Sequence, residues 1–295
     1  MRILLRLFGP LAAFALVACA GSAQSEPAAK PAMWKLADED TTIYLFGTLH
    51  ILPPGFTWRT PKFDAVAASA DTLVLEIADQ GDARQAAERF RALATSDGLP
   101  PLHERVPPAQ RPVLAEMLKK AGLSESQLDG YETWAAALTL GAALYRDVGA
   151  SAEHGVEQTL SGQFTQASKP IEGLETTAQQ LGFFDTLPEA SQRRLLASMV
   201  EESEGSAKQY AAMAAAWSRG DINAIAVTFD DELRISPDLA EILIRKRNAN
   251  WTAALEKRLE TPGTVLVAVG AGHLAGKDSV VDMLRARGLK VQRVQ

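Results

Sequence analysis

The chain carries one short device twice, near each end: an apolar, strand-like run that stops at Gly-x-x-His. The first copy is Ile43-Tyr44-Leu45-Phe46-Gly47-Thr48-Leu49-His50, and the second is Val265-Leu266-Val267-Ala268-Val269-Gly270-Ala271-Gly272-His273. Both runs are short and rich in β-branched or aromatic residues, so each reads as a buried strand. Glycine at a strand exit permits a sharp turn and a close approach to the backbone. Ligands of open α/β sheets gather beyond the carboxyl ends of strands. Two imidazoles delivered there from distant parts of the chain suggest a site assembled by the fold.

The first residues have the form of an export signal and are set aside from the fold. Arg2 and Arg6 precede a short apolar core, Leu7 to Val17, broken by Gly9-Pro10; it is too short for a spanning helix. Leu16-Val17-Ala18-Cys19 resembles a bacterial lipobox, and Cys19 is the only cysteine. Lipidation of Cys19 is favoured over ordinary cleavage at a small-x-small site, and it would anchor the protein to a membrane surface. The expected location is therefore extracytoplasmic, in the bacterial cell envelope. Ala20 after the cysteine makes the outer membrane the default for a Gram-negative source. A lone cysteine leaves no intrachain disulfide, so stability must come from the core. Without Arg2 and Arg6 the formal charge moves from −6 to −8, which argues against nucleic acid as a partner.

Residues 20–32 read as a flexible tether, and 33–295 as a single domain. Strands are expected at Trp34–Leu36, Thr42–Phe46, Thr72–Ile77, Lys169–Glu175, 264–269 and Lys290–Val294. Helical spacing covers about 82–165 and 186–260, with helices expected at Phe63–Ala70 and 276–287 as well. The architecture is thus α/β, a central sheet built from N- and C-terminal strands with a large, mainly helical middle insertion.

Of four histidines, His103 reads as a structural loop or capping residue and His154 as a helix-end residue, kept in reserve as a ligand by its proximity to Glu157, while His50 and His273 close the paired motifs. Glu76 is a carboxylate at the end of an apolar strand, costly unless it is paired, hydrogen-bonded or metal-bound. Glu175 flanks another strand exit and also suits a helix N-terminus; Arg247 and Asn248 stand on a long helix, where Arg245, Lys246 and Arg247 can equally form a solvated basic turn. Two imidazoles and a carboxylate suit either a divalent-metal first shell with open positions or a hydrogen-bonded polar cluster. The His-Glu-x-x-His helix of zinc proteases and the Gly-x-Ser-x-Gly elbow are both absent from the sequence, which disfavours those architectures.

Gly47-Thr48-Leu49-His50, Leu75-Glu76, Gly155-Val156-Glu157, Gly173-Leu174-Glu175-Thr176, Arg247-Asn248 with Trp251, and Gly270-Ala271-Gly272-His273-Leu274-Ala275-Gly276 follow one another as in the TraB/GumN family, which the chain resembles over almost all of its mature length. That family includes the Tiki metalloproteases, which depend on manganese or cobalt, and is distantly similar to erythromycin esterases and ChaN-type haem-binding lipoproteins. The resemblance implies that His50, Glu76 and His273 converge on one site, where the expected cofactor is a divalent ion, Mn, Co or Zn. It matches Glu157, Glu175, Arg247 and Asn248 to family motifs as binding or supporting residues.

The resulting expectation is a lipid-anchored, metal-dependent hydrolase of peptide or ester bonds. His50 and His273 would hold the metal, Glu76 would be a ligand or general base, and Arg247 would steady substrate or oxyanion charge. The alternative is a non-catalytic lipoprotein that binds a peptide or small molecule in the same pocket. The sequence leaves substrate and oligomeric state open.

Overall fold

A computed structural model describes residues 29–78, 83–147, 149–233 and 236–295. The leader, Cys19 and residues 20–28 of the expected tether lie outside the described residues. Among the described residues, no helix is long and apolar enough to cross a membrane.

Six strands form one sheet: β1 (Met33–Ala37), β2 (Thr41–Thr48), β3 (Thr72–Ile77), β4 (Ile171–Glu175), β5 (Gly263–Gly270) and β6 (Gln292–Arg293). Their spatial order is β4-β3-β5-β2-β1-β6. Strands β4, β3, β5 and β2 run parallel, with β4 at the edge and β5 between β2 and β3, and β1 turns back antiparallel on β2. The register pairs Thr48 with Gly270 and Ile77 with Glu175. All four parallel strands therefore finish at one edge of the sheet, and each is followed by, or ends in, a candidate site residue.

Strands β3 and β5 are buried on both faces, hence their unbroken apolar runs. Leu73, Leu75, Leu266 and Ala268 face a core shared with Phe46, Trp58, Phe63, Leu160 and Trp217. Val74, Val265, Val267 and Val269 face the opposite core, with Trp251, Leu255, Val280 and Leu284. Alternation along β3 then sets Glu76 on the side of Val74, the side covered by the helix Lys246–Arg258.

The helical segments connect strands, as expected, but the long run from 186 to 260 is divided. Helices Glu189–Glu202, Ser206–Ser218 and Ile222–Leu233 precede a final stretch in which a π turn, Ala240–Arg245, leads into Lys246–Arg258. The last helix is shorter than the expected 276–287 and spans Val280–Ala286. Gly276 (φ 77°) and Asp278 (φ 59°) adopt left-handed backbone that a helix cannot hold, and Ser279 then caps the helix by accepting from the Asp282 N–H. The closing strand narrows to Gln292–Arg293. Leu102, Leu114, Leu118, Leu140 and Leu196 pack into a separate helical core.

Candidate functional site

Beyond β2 the chain runs beside the segment that opens the helix Val156–Gln166. Leu52 and Ser151 pair as an antiparallel bridge, and the Val156 N–H donates to the Leu49 carbonyl at 3.2 Å. Gly155 is required at this crossing: a Cβ there would stand 2.1 Å from the His50 carbonyl oxygen. The crossing brings Glu157, in the first turn of that helix, against His50. His50 Nδ1 lies 2.7 Å from Glu157 Oε1, and the Thr48 hydroxyl donates to the same oxygen. On the inner side, the Trp217 indole N–H donates to the Gly47 carbonyl at 2.7 Å and the Tyr210 hydroxyl to that of Ile51 at 3.1 Å, which fixes the strand exit.

The other imidazole nitrogen, Nε2, is 3.8 Å from Glu76 Oε1. That oxygen accepts the Gly270 N–H at 2.8 Å, while Glu76 Oε2 accepts from Arg247 Nη2 at 2.7 Å and from Gln180 Nε2 at 3.4 Å. Arg247 also donates Nε to both Glu175 oxygens at 3.0 and 3.1 Å and Nη2 to Oε2 at 3.0 Å. The Trp251 indole N–H donates to Glu175 Oε1 at 2.9 Å. The guanidinium stacks over Trp251, 4.7 Å from the ring centre. Arg247, Glu76 and Glu175 are all buried, so this ion pairing takes place away from water.

His273 follows β5 on a short 3₁₀ turn, Ala271–Leu274. Its Nδ1 is 2.7 Å from Asn248 Oδ1, and its Nε2 is 3.2 Å from Arg247 Nη1. Trp251 and Phe229 flank the ring, with centroids at 4.5 and 6.0 Å.

The two imidazoles titrate in opposite directions. The His50 side chain is 58% exposed; crowding by neighbouring protein atoms works against its charge, but the Glu157 carboxylate, by charge and hydrogen bond, and Glu76 raise its pKa to about 9. Burial lowers His273 to about 3, with Arg247 and His50 adding to the shift and Glu76 opposing it. Burial disfavours ionised Glu76, yet the His273 and His50 rings, Arg247 and the Gly270 N–H bring its pKa down to about 2. At neutral pH His50 carries a proton, His273 does not, and Glu76 is ionised.

A cavity of about 330 Å³ opens at the strand ends, lined by His50, Leu75, Glu76, Ile77, Ala152, Glu157, Gln158 and Gln180. Three sequence-derived candidates, His50, Glu76 and Glu157, line it. Arg247, Glu175, His273 and Asn248 do not; they form a buried lattice behind Glu76. Thr48, Gln158 and Gln180 were not singled out by the sequence. Thr48 lies inside the first His motif, and Gln180 follows the Thr176–Gln179 capping box that opens the helix after β4.

The donor set expected for a divalent ion meets here with a cation already inside it. Arg247 lies between Glu76 and His273 and satisfies both, so His50 Nε2 and Glu76 Oε1 are the nitrogen and oxygen of that set left facing the cavity. Among the described residues, no three His, Cys, Asp or Glu side chains are placed to share one ion. As arranged, the set does not fit the three-ligand pattern of catalytic metal centres. The chemistry at hand is that of the chain's own groups: an imidazole oriented by a carboxylate beside a second, firmly ionised carboxylate.

A model of the TraB/PrgY/gumN family matches residues 32–293. The chain is 26% identical over 242 residues to the uncharacterized protein YbaP of Escherichia coli, covering 82% of this chain and 87% of that protein; the Shigella flexneri YbaP matches equally. No solved structure matches it.

Proposed function

The chain belongs to the TraB/PrgY/gumN family, and we propose that it is a hydrolase of peptide or ester bonds acting in the bacterial cell envelope, with His50 as its acid–base residue. The observation that carries this reading is the His50–Glu157 pair at the mouth of the cavity, with Nε2 directed inward toward Glu76. A carboxylate on Nδ1 fixes the ring and stabilises the imidazolium that forms when Nε2 takes a proton.

In the proposed step, neutral His50 Nε2 removes a proton from a water as its oxygen attacks the carbonyl carbon of the substrate. The imidazolium, held by Glu157, then returns that proton to the leaving amine or alkoxide as the C–N or C–O bond breaks. Glu76, with its pKa near 2, is too weak a base for the first transfer. Its role is to hold negative charge opposite the imidazolium. Arg247 keeps Glu76 ionised and in place rather than reaching the substrate itself. Envelope location and the lipid anchor rest on the Arg2–Val17 leader and the Cys19 lipobox.

The test is turnover of a panel of fluorogenic peptides and aryl esters by the protein, by His50→Ala and by Glu157→Gln, each with and without EDTA. Turnover by the wild type that His50→Ala abolishes supports the reading. Ligand binding without turnover across the panel, or full turnover by His50→Ala, overturns it. Activity lost to EDTA and restored by Mn, Co or Zn would assign the chemistry to an ion on His50 and Glu76 with Arg247 displaced.

A further inference from the structure

We infer that His273 is a positioning residue: a neutral imidazole, protonated at Nδ1 alone, whose Nε2 lone pair holds the Arg247 guanidinium against Glu76. Its contribution to turnover rests on the hydrolytic reading above; its protonation pattern does not.

Each partner in the chain of bonds leaves the next one choice. The Asn248 amide nitrogen donates to the Asp278 carbonyl at 2.8 Å, which turns the amide oxygen toward His273. That oxygen can only accept, so the imidazole nitrogen 2.7 Å away, Nδ1, must carry hydrogen. At the other nitrogen the neighbour is a guanidinium, which can only donate, 3.2 Å from Nε2. Nε2 is therefore the acceptor, and a proton there would face an N–H of Arg247. The surroundings agree: His273 is 5% exposed, flanked by Trp251 and Phe229, with its pKa depressed to about 3.

Arg247 is where this geometry acts. The bond to His273 engages Nη1, leaving Nη2 aimed at Glu76 and Nε at Glu175. The π turn at Ala240–Arg245 ends two residues before Arg247, and the Leu243 carbonyl within it accepts from Nη1 at 3.3 Å. With Nη1 shared by Leu243 and His273, Glu76 Oε2 keeps a fixed donor and Glu76 Oε1 stays beside His50. His273 does not line the cavity, so it acts on the site through Arg247 and Glu76.

The test is nitrogen-15 NMR of the histidine-labelled protein, whose four imidazoles are assigned with single variants. The expected result at neutral pH is a His273 ring with pyrrole-type Nδ1 and pyridine-type Nε2, and no coordination shift at Nε2 on adding Zn²⁺. A hydrogen on Nε2, an imidazolium, or a Zn²⁺ shift at Nε2 overturns the inference. Variants supply a second reading of it. His273→Gln, which can still accept from Arg247, keeps most of the turnover, while His273→Leu loses on the order of tenfold or more. Asn248→Asp keeps the acceptor but draws a second proton onto the ring against Arg247. It is expected to impair turnover, whereas a metal-ligand role would tolerate or favour that carboxylate. Equal loss in Gln and Leu, or a fully active Asn248→Asp, contradicts the positioning role. If no substrate is turned over, the NMR result still decides the inference.

Discussion

Glu157 Oε1 sits 2.7 Å from His50 Nδ1, though the two residues come from a strand exit and a helix start with the whole helical segment 83–147 between them. This contact sets the charge of the imidazole and leaves its second nitrogen facing the cavity.

Turnover should therefore rise with pH across the neutral range. A general base with a pKa of about 9 is only fractionally neutral at pH 7, and kcat/KM should climb through its half-maximum near that pKa toward a plateau at higher pH. In Glu157→Gln the limb should move down toward the ordinary histidine value of about 6.5, with a lower plateau because the imidazolium has lost its counter-charge. Initial rates over pH 5.5–10 check this.

Stability should fall on both sides of neutrality. His50 has its pKa raised on folding, so its contribution is fully present below the unfolded value of 6.5 and is lost as pH rises through about 9. His273 is buried neutral at about 3, so the unfolded chain binds the extra proton and stability declines as pH drops below 6.5. Glu76, at about 2 against 4.5 unfolded, adds a further loss below pH 4.5. Thermal melting across pH should show that Glu157→Gln flattens the alkaline side and His273→Gln the acid side.

Arg247→Met should be among the most damaging single changes. It leaves Glu76 and Glu175 buried without their counter-ion, and breaking a buried pair from one side costs about 3–5 kcal/mol. Arg247→Lys should recover only part of this, because an ammonium cannot reproduce the fork that serves Glu175, Glu76 and His273 together. Urea denaturation of the three proteins measures the order.

Much of this arrangement was legible in the sequence, for reasons that particular residues make clear. Gly-x-x-His at the ends of β2 and β5 announced itself because both strands are buried and apolar up to the glycine. Glu76 stood out as a charge in such a strand. Glu157 and Thr48 could not be paired with His50 from spacing, because the Leu52–Ser151 bridge and the Gly155 crossing are tertiary contacts. The two histidines looked equivalent in sequence, yet His50 is held by a carboxylate at the cavity and His273 by an amide in the interior. Spacing did not separate Arg247 from its basic neighbours Arg245 and Lys246, and only the family motif singled it out; the π turn before it is invisible to a 3.6-residue periodicity.

Gly270→Ala isolates the geometry of the cavity from the stability of the fold. A Cβ at 270 would stand 3.0 Å from His50 Nε2 and 3.2 Å from Glu76 Oε1, while the backbone there is one that alanine readily adopts. The ring and carboxylate must separate by a few tenths of an ångström, and a misplacement of that kind should reduce kcat roughly tenfold or more. The melting temperature should change little.

The most direct measurement is an NMR titration of the His50 ring in the wild type and in Glu157→Gln, followed without any substrate. The account predicts an apparent pKa near 9 in the wild type and a clear fall toward about 6.5 in the variant. A wild-type value already near 6.5, unmoved by Glu157→Gln, would contradict it.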